Sequence, residues 1–215
     1  MVDILKSIKK INFDDSQYFK ATYDKTQIVL HHTVSNGSAK AVADYWKSQA
    51  NRVATCIIID KEGEIHQLFS SRFYAGHIGN VATEMKKFNL PYRSCSRTSI
   101  GVELINLGGL KKKSNGKLYD SYGREFTGDF IYYEEGYRGY KYFPKYTEKQ
   151  IASLKKLLLY WCDRYDIPTT YNEDIWDINK RALSGEHGIF LHTSFRDDKS
   201  DLHPDPALIK MLKSL

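Results

Sequence analysis

The sequence predicts an α/β fold, a single domain with a central mixed β-sheet flanked by helices. Three observations carry that expectation. Apolar runs of strand length recur at residues 27–31, 53–60, 65–69, 99–105 and 188–192. Segments of helical periodicity lie between or after them, at 39–50, 147–165 and 206–215. The chain has 215 residues and neither an internal repeat nor a linker, which suits one layered core over residues 1–215.

Residues 1–25 form a polar lead-in with room for one short helix. The first strand is Gln27 to His31, built on Ile28, Val29 and Leu30. Gly37 and Ser38 supply a turn and an N-cap, after which Ala39, Val42, Ala43 and Trp46 fall at helical spacing. The second strand, 53–60, meets the four-residue turn Lys61-Glu62-Gly63-Glu64 and returns over 65–69 as a hairpin. A buried strand over 99–105 is ended by Gly108 and Gly109. Residues 110–145 open with Lys111-Lys112-Lys113 and are rich in Tyr and Gly. They read as an inserted loop or hairpin over the sheet, with the basic run on a solvated turn. Thr147 caps a long helix through Tyr165 whose apolar side is Ile151, Leu154, Leu157, Leu158, Trp161 and Cys162. Asp166-Ile167-Pro168 stops it. A strand over 188–192 and a closing helix with Leu208, Ile209 and Leu212 complete the chain.

Composition narrows the function classes. A formal net charge of +6 favours an anionic partner. Neither a groove-reading helix nor zinc-finger spacing accompanies it, so nucleic acid is not expected. Cys56, Cys95 and Cys162 are odd in number and widely spaced, which argues against a disulfide framework or a zinc ribbon. No run approaches the ~20 apolar residues of a membrane span, so no membrane insertion is expected. The N-terminus lacks the apolar stretch of a signal peptide. The expectation is therefore synthesis in the cytosol, with release to an outside substrate by other means.

Chemistry enters at the strand ends. His31 closes the first strand and His192 closes the last apolar run, Gly188-Ile189-Phe190-Leu191, and is followed downstream by Lys199-Ser200-Asp201. Two imidazoles on rigid elements and one acid make three ligands, which leaves a fourth position on Zn²⁺ open, the catalytic arrangement. Glu103 is an acid in the apolar strand Ile100-Gly101-Val102-Glu103-Leu104, where burial would raise its pKa toward that of a working base. Lys199 can supply a cation to a developing oxyanion. His32 points to the opposite face by strand alternation. His187 precedes its strand and His203 neighbours Pro204 and Pro206, so loop positions are expected for both, and His66 on the hairpin is expected to face solvent.

Taken in order, Ile28-Val29-Leu30-His31-His32-Thr33, Ile57-Ile58-Ile59-Asp60-Lys61-Glu62-Gly63, Ala75-Gly76-His77, Ser99-Ile100-Gly101-Val102-Glu103, Leu191-His192 and Lys199-Ser200-Asp201 resemble the zinc-dependent N-acetylmuramoyl-L-alanine amidases. That is the amidase-2 family, which includes phage endolysins and is similar to the peptidoglycan recognition proteins. The resemblance spans residues 25–215 apart from the Tyr-rich insertion. It implies Zn²⁺ held by His31, His192 and Asp201, catalytic Glu103 and Lys199, and a groove where His77 and Thr33 meet substrate. It implies cleavage of the amide between the lactyl group of N-acetylmuramic acid and L-alanine, with peptidoglycan as partner; the chain is expected to act as a monomer. Two departures matter. The family's Pro-Gly after the last ligand is replaced by Leu202-His203-Pro204-Asp205-Pro206, so Asp205 competes with Asp201, although the spacing from His192 and the position of Lys199 favour Asp201. Thr55 and Cys56 occupy the region where some members carry a catalytic Tyr, which gives the base role to Glu103. A non-catalytic peptidoglycan receptor on the same scaffold is the alternative, and the presence of every candidate ligand favours the enzyme.

Overall fold

The computed structural model describes residues 4–215; the first three residues of the lead-in lie outside them. The rest of the lead-in holds helix α1 (Ile4–Ser7), the two-residue strand β1 (Lys9–Lys10) and a 3-10 turn at Asp15–Gln17. Strand β2 (Gln27–His32) is buried along its whole length, as expected of a parallel strand covered on both faces. Helix α2 (Ala39–Lys47) starts where Ser38 accepts the Ala41 N–H and buries Ala39, Val42, Ala43 and Trp46. Strands β3 (Ile57–Ile59) and β4 (Ile65–Gln67) form the hairpin. In its turn Asp60 Oδ1 accepts the N–H groups of Glu62 and Glu64. Gly63 sits at φ +77°, and a Cβ there would lie 2.5 Å from the Lys149 carbonyl, so glycine lets the turn and the long helix touch.

The predicted strand 53–60 is shorter than expected. Residues 53–56 leave the ladder to run beside the 74–77 segment, where Gly76 N–H donates to Arg52 O, and this path forms one wall of a cleft. Two short helices follow, α3 (Ala82–Lys87) and α4 (Cys95–Thr98), and then the buried strand β5 (Ser99–Leu104).

The insertion holds a hairpin, one of its two expected forms, together with a second small sheet. Strands β6 (Lys111–Lys112), β7 (Leu118–Tyr119) and β8 (Glu125–Phe126) make a small antiparallel meander, and β9 (Phe130–Tyr137) with β10 (Tyr140–Pro144) make a hairpin. The meander has a minor apolar cluster of its own, Leu107, Leu110 and Leu118. Helix α5 (Glu148–Tyr165) opens on a capping box in which Thr147 and Gln150 exchange hydrogen bonds. The Thr147 hydroxyl also donates to Lys61 O. Helix α6 (Lys180–Ser184), strand β11 (Gly188–Leu191) and helix α7 (Pro206–Leu212) finish the chain.

The main sheet runs β1-β4-β3-β5-β2-β11. Strands β3, β5, β2 and β11 are mutually parallel, and β4 is antiparallel to β3. The architecture is the predicted one: a mixed sheet, with α5 packed over it through Leu154, Leu157, Leu158 and Trp161.

The β9–β10 hairpin braces the loop that follows β11. His203 takes the expected loop position but is buried, stacked on Phe143 and Tyr146 with ring centroids 4.6 and 4.7 Å away. Burial first, and then the neighbouring His32, push its pKa down to about 3, so the ring is neutral. Its Nε2–H donates to Pro144 O at 3.1 Å, and its bare Nδ1 accepts the Tyr133 hydroxyl at 2.9 Å. Tyr133→Phe leaves that nitrogen unpaired and should lower the unfolding free energy by about 1–3 kcal/mol, measurable by urea denaturation; an unchanged midpoint would show that the hairpin does not brace this loop.

Candidate active site

Register brings the predicted residues together. Parallel pairing sets His31 of β2 directly beside Glu103 of β5, so the two side chains share a face. Strand β11 pairs with β2 up to Leu191 opposite Leu30. His192 therefore follows at the level of His31, in the 3-10 turn His192–Ser194. Asp201 returns to that turn through a hydrogen bond from Thr193 N–H to its carbonyl. His32 lies on the other face, where its Nδ1 is 3.1 Å from the Tyr146 hydroxyl.

Three donor atoms converge at the cleft floor. His31 Nδ1 lies 3.1 Å from His192 Nδ1 and 3.2 Å from Asp201 Oδ2, and His192 Nδ1 lies 2.9 Å from the same oxygen. Burial, reinforced by His192, pushes the His31 pKa down to about 4, so its ring is neutral at physiological pH. Burial alone would raise the Asp201 carboxyl, but the facing His192 and His31 outweigh it and hold the group well below the usual carboxylate range. Each imidazole spends its outer nitrogen elsewhere: His192 Nε2–H donates to Ile78 O at 3.1 Å, and His31 Nε2 lies 2.9 Å from His77 Nδ1. Two imidazole nitrogens and an anionic oxygen thus face one point. That is the donor set of a zinc centre with three protein ligands, and close-set acceptors of this kind are relieved by a cation among them. The residues fit the ion.

The competing acid is engaged elsewhere. Asp205 caps α7, with Oδ1 accepting Ala207 N–H and Oδ2 accepting Tyr146 N–H. Glu103 faces the same cleft, of about 320 Å³, together with His77, Lys199 and the apolar Trp46, Val34 and Val53. Among the described residues nothing hydrogen-bonds its carboxyl. Burial, and then the charge of Asp201, raise its pKa well above the ordinary value. Lys199 stands at the rim, its Nζ 3.8 Å from Asp198.

Two expected substrate contacts are placed differently from one another. His77 lines the cleft but is buried behind His31. Thr33 is not among the lining residues; its hydroxyl bridges Ser35 O and the Asn106 backbone. His66 is not solvent-facing, because its Nε2 is paired with Asp60 at 2.8 Å and the ring is largely covered. With Glu64 this makes a second group of metal-capable side chains, but Asp60 is already committed to its turn and Glu64 to Lys9.

The profile of the N-acetylmuramoyl-L-alanine amidases matches residues 21–206. The chain belongs to that family. It is a peptidoglycan amidase, and the reading of it as a non-catalytic receptor is not favoured. No curated protein sequence matches it. Solved structures share the amidase's fold at low identity. PlyL is 17% identical with a TM-score of 0.54, over 96% of each chain. The N-acetylmuramoyl-L-alanine amidase LysC from Clostridium intestinale URNW is 14% identical with a TM-score of 0.53, over 96% of this chain and 95% of that one. The catalytic domain of XlyA is 14% identical with a TM-score of 0.55, over 96% and 97%. Among the amidase's described residues, no helix is long and apolar enough to cross a membrane.

Sequence reasoning missed the groups behind the site. Ser99 and the Ile78 carbonyl both touch the histidines from the far side. A serine opening a strand and a main-chain oxygen carry no pattern in sequence.

Proposed function

We propose that this amidase uses a zinc ion held by His31, His192 and Asp201 to hydrolyse the amide between the lactyl group of N-acetylmuramic acid and L-alanine. The convergence of those three donors beside the unpartnered Glu103 is the observation that supports the reading. When bound, zinc supplies a Lewis acid that polarises a carbonyl and acidifies water. Glu103 takes a proton from the attacking water and returns it to the nitrogen of the departing L-alanine, a role its raised pKa suits. Lys199 at the rim presents its ammonium to the oxyanion that develops on the lactyl carbonyl. Trp46, Val34 and Val53 give the cleft an apolar wall against which the non-reacting parts of the substrate can pack and exclude water. Every group in this scheme comes from one chain, which supports action as a monomer. An endolysin role, with the enzyme reaching the wall at lysis, fits the family and the fold.

The test is mass spectrometry of digested sacculi. Free stem peptides with new L-alanine amino termini are expected, and chelation should abolish their release until zinc is restored. Cut glycan strands with intact peptide attachments would refute the assignment.

A further inference from the structure

We infer that Ser99 and His77 form a proton-ordering relay that leaves His31 Nδ1 bare toward the metal position, which makes both of them positioning residues. The use of that bare nitrogen rests on the zinc reading above; the relay itself rests only on hydrogen bonds within the chain. A neutral imidazole carries one proton, and which nitrogen holds it is set by the partners. Here the choice is made at a distance. The Cys95 carbonyl only accepts, and it lies 2.8 Å from Ser99 Oγ, so the one hydroxyl proton is committed there. Ser99 Oγ can then only accept, and His77 Nε2, 2.9 Å away, must donate to it. The neutral His77 ring is left with its lone pair on Nδ1. His31 Nε2 lies 2.9 Å from that lone pair and must carry the His31 proton. His31 Nδ1 is thereby bare where it faces His192 and Asp201. The reverse order would break the bond to Cys95 and insert a proton among three donors meant for a cation.

The surrounding chain is shaped for this relay. Gly101 is two residues from Glu103 on β5, and a Cβ there would lie 2.9 Å from His77 Nδ1, so the missing side chain is what gives the ring its berth. The buried Lys25 ammonium donates to Phe73 O, Arg97 O and Ser99 O at 3.1, 2.8 and 3.1 Å. It ties the segment leading to His77 to the start of β5, which carries Ser99. His77 is thus a support of the ligand His31 rather than a substrate contact.

The full chain, labelled with ¹⁵N in its histidines, tests this before and after chelation. Two-bond ring correlations separate Nδ1–H from Nε2–H. In the chelated chain His31 and His77 should both be in the Nε2–H form. A Ser99→Ala protein with a cooperative melt should show mixed His31 tautomers and bind zinc about ten- to a hundredfold more weakly. A His31 ring protonated at Nδ1 in the unaltered chain overturns the relay. So does a folded Ser99→Ala protein whose His31 tautomer and zinc affinity both match the unaltered chain. The expected tautomers in a chain that takes up no zinc would overturn the metal reading and leave the relay standing.

Discussion

Replacing Glu103 with Gln is expected to lower turnover by about 10²- to 10⁴-fold while zinc content stays that of the unaltered protein. The amide keeps the volume and polarity of the side chain but can neither take nor return a proton. Its neighbour across the strand pair, His31, keeps both ring partners, so the metal position is not disturbed. The variant should also melt no lower than its parent. Burial and the Asp201 charge already disfavour the ionised carboxyl of Glu103, and a neutral amide removes that cost. Release of L-alanine-terminated peptides, measured beside zinc by atomic absorption, checks both halves. Parent-level turnover would remove Glu103 from the chemistry, and loss of zinc would make it part of the metal site instead.

His31→Ala should do more damage, because it strikes metal and chemistry together. It deletes one of three donors, leaving His192 and Asp201 to hold an ion alone. Losses in the supporting shell cost about 10–100-fold in metal affinity, and loss of a direct ligand should exceed that. Zinc should fall to background after dialysis, and amidase activity with it. His66→Ala is the matched control, since that histidine is paired with Asp60 away from the cleft; it should retain both zinc and activity. Stoichiometric zinc in His31→Ala would contradict the ligand set.

The parts of the site that can be read from sequence are those whose position follows from strand periodicity. His31, Glu103 and His192 lie at the ends or in the middle of apolar runs. Parallel register sets His31 and Glu103 on one face, and His192 follows directly after β11 at the level of His31. Asp201 was distinguishable from Asp205 only by spacing and by likeness to a family. The structure separates them by occupation, since Asp205 is spent on capping α7. Helices α3, α4 and α6 have six, four and five residues, too short for a periodic signal that needs a window of about 11–18 residues. The insertion was legible as a departure in composition, but not its bracing of His203, because the Tyr133 contact spans 70 residues. Thr33 lies beside the ligand strand, yet its hydroxyl turns to Asn106, a choice made by the loop after β5 and invisible at Thr33 itself.

His77 and Ile78 are adjacent, yet one abuts the ring of His31 and the other, through its carbonyl, the ring of His192. Two consecutive residues therefore abut both imidazoles, and their segment is itself tethered by Ser96 at Ile78 N–H and by Arg52 at Gly76 N–H. A small displacement of this short abutment would swing the two nitrogens in concert. On the zinc reading proposed above, the preference among divalent ions should then be tunable from a stretch of chain that supplies no ligand, which offers protein engineers a lever outside the first coordination sphere.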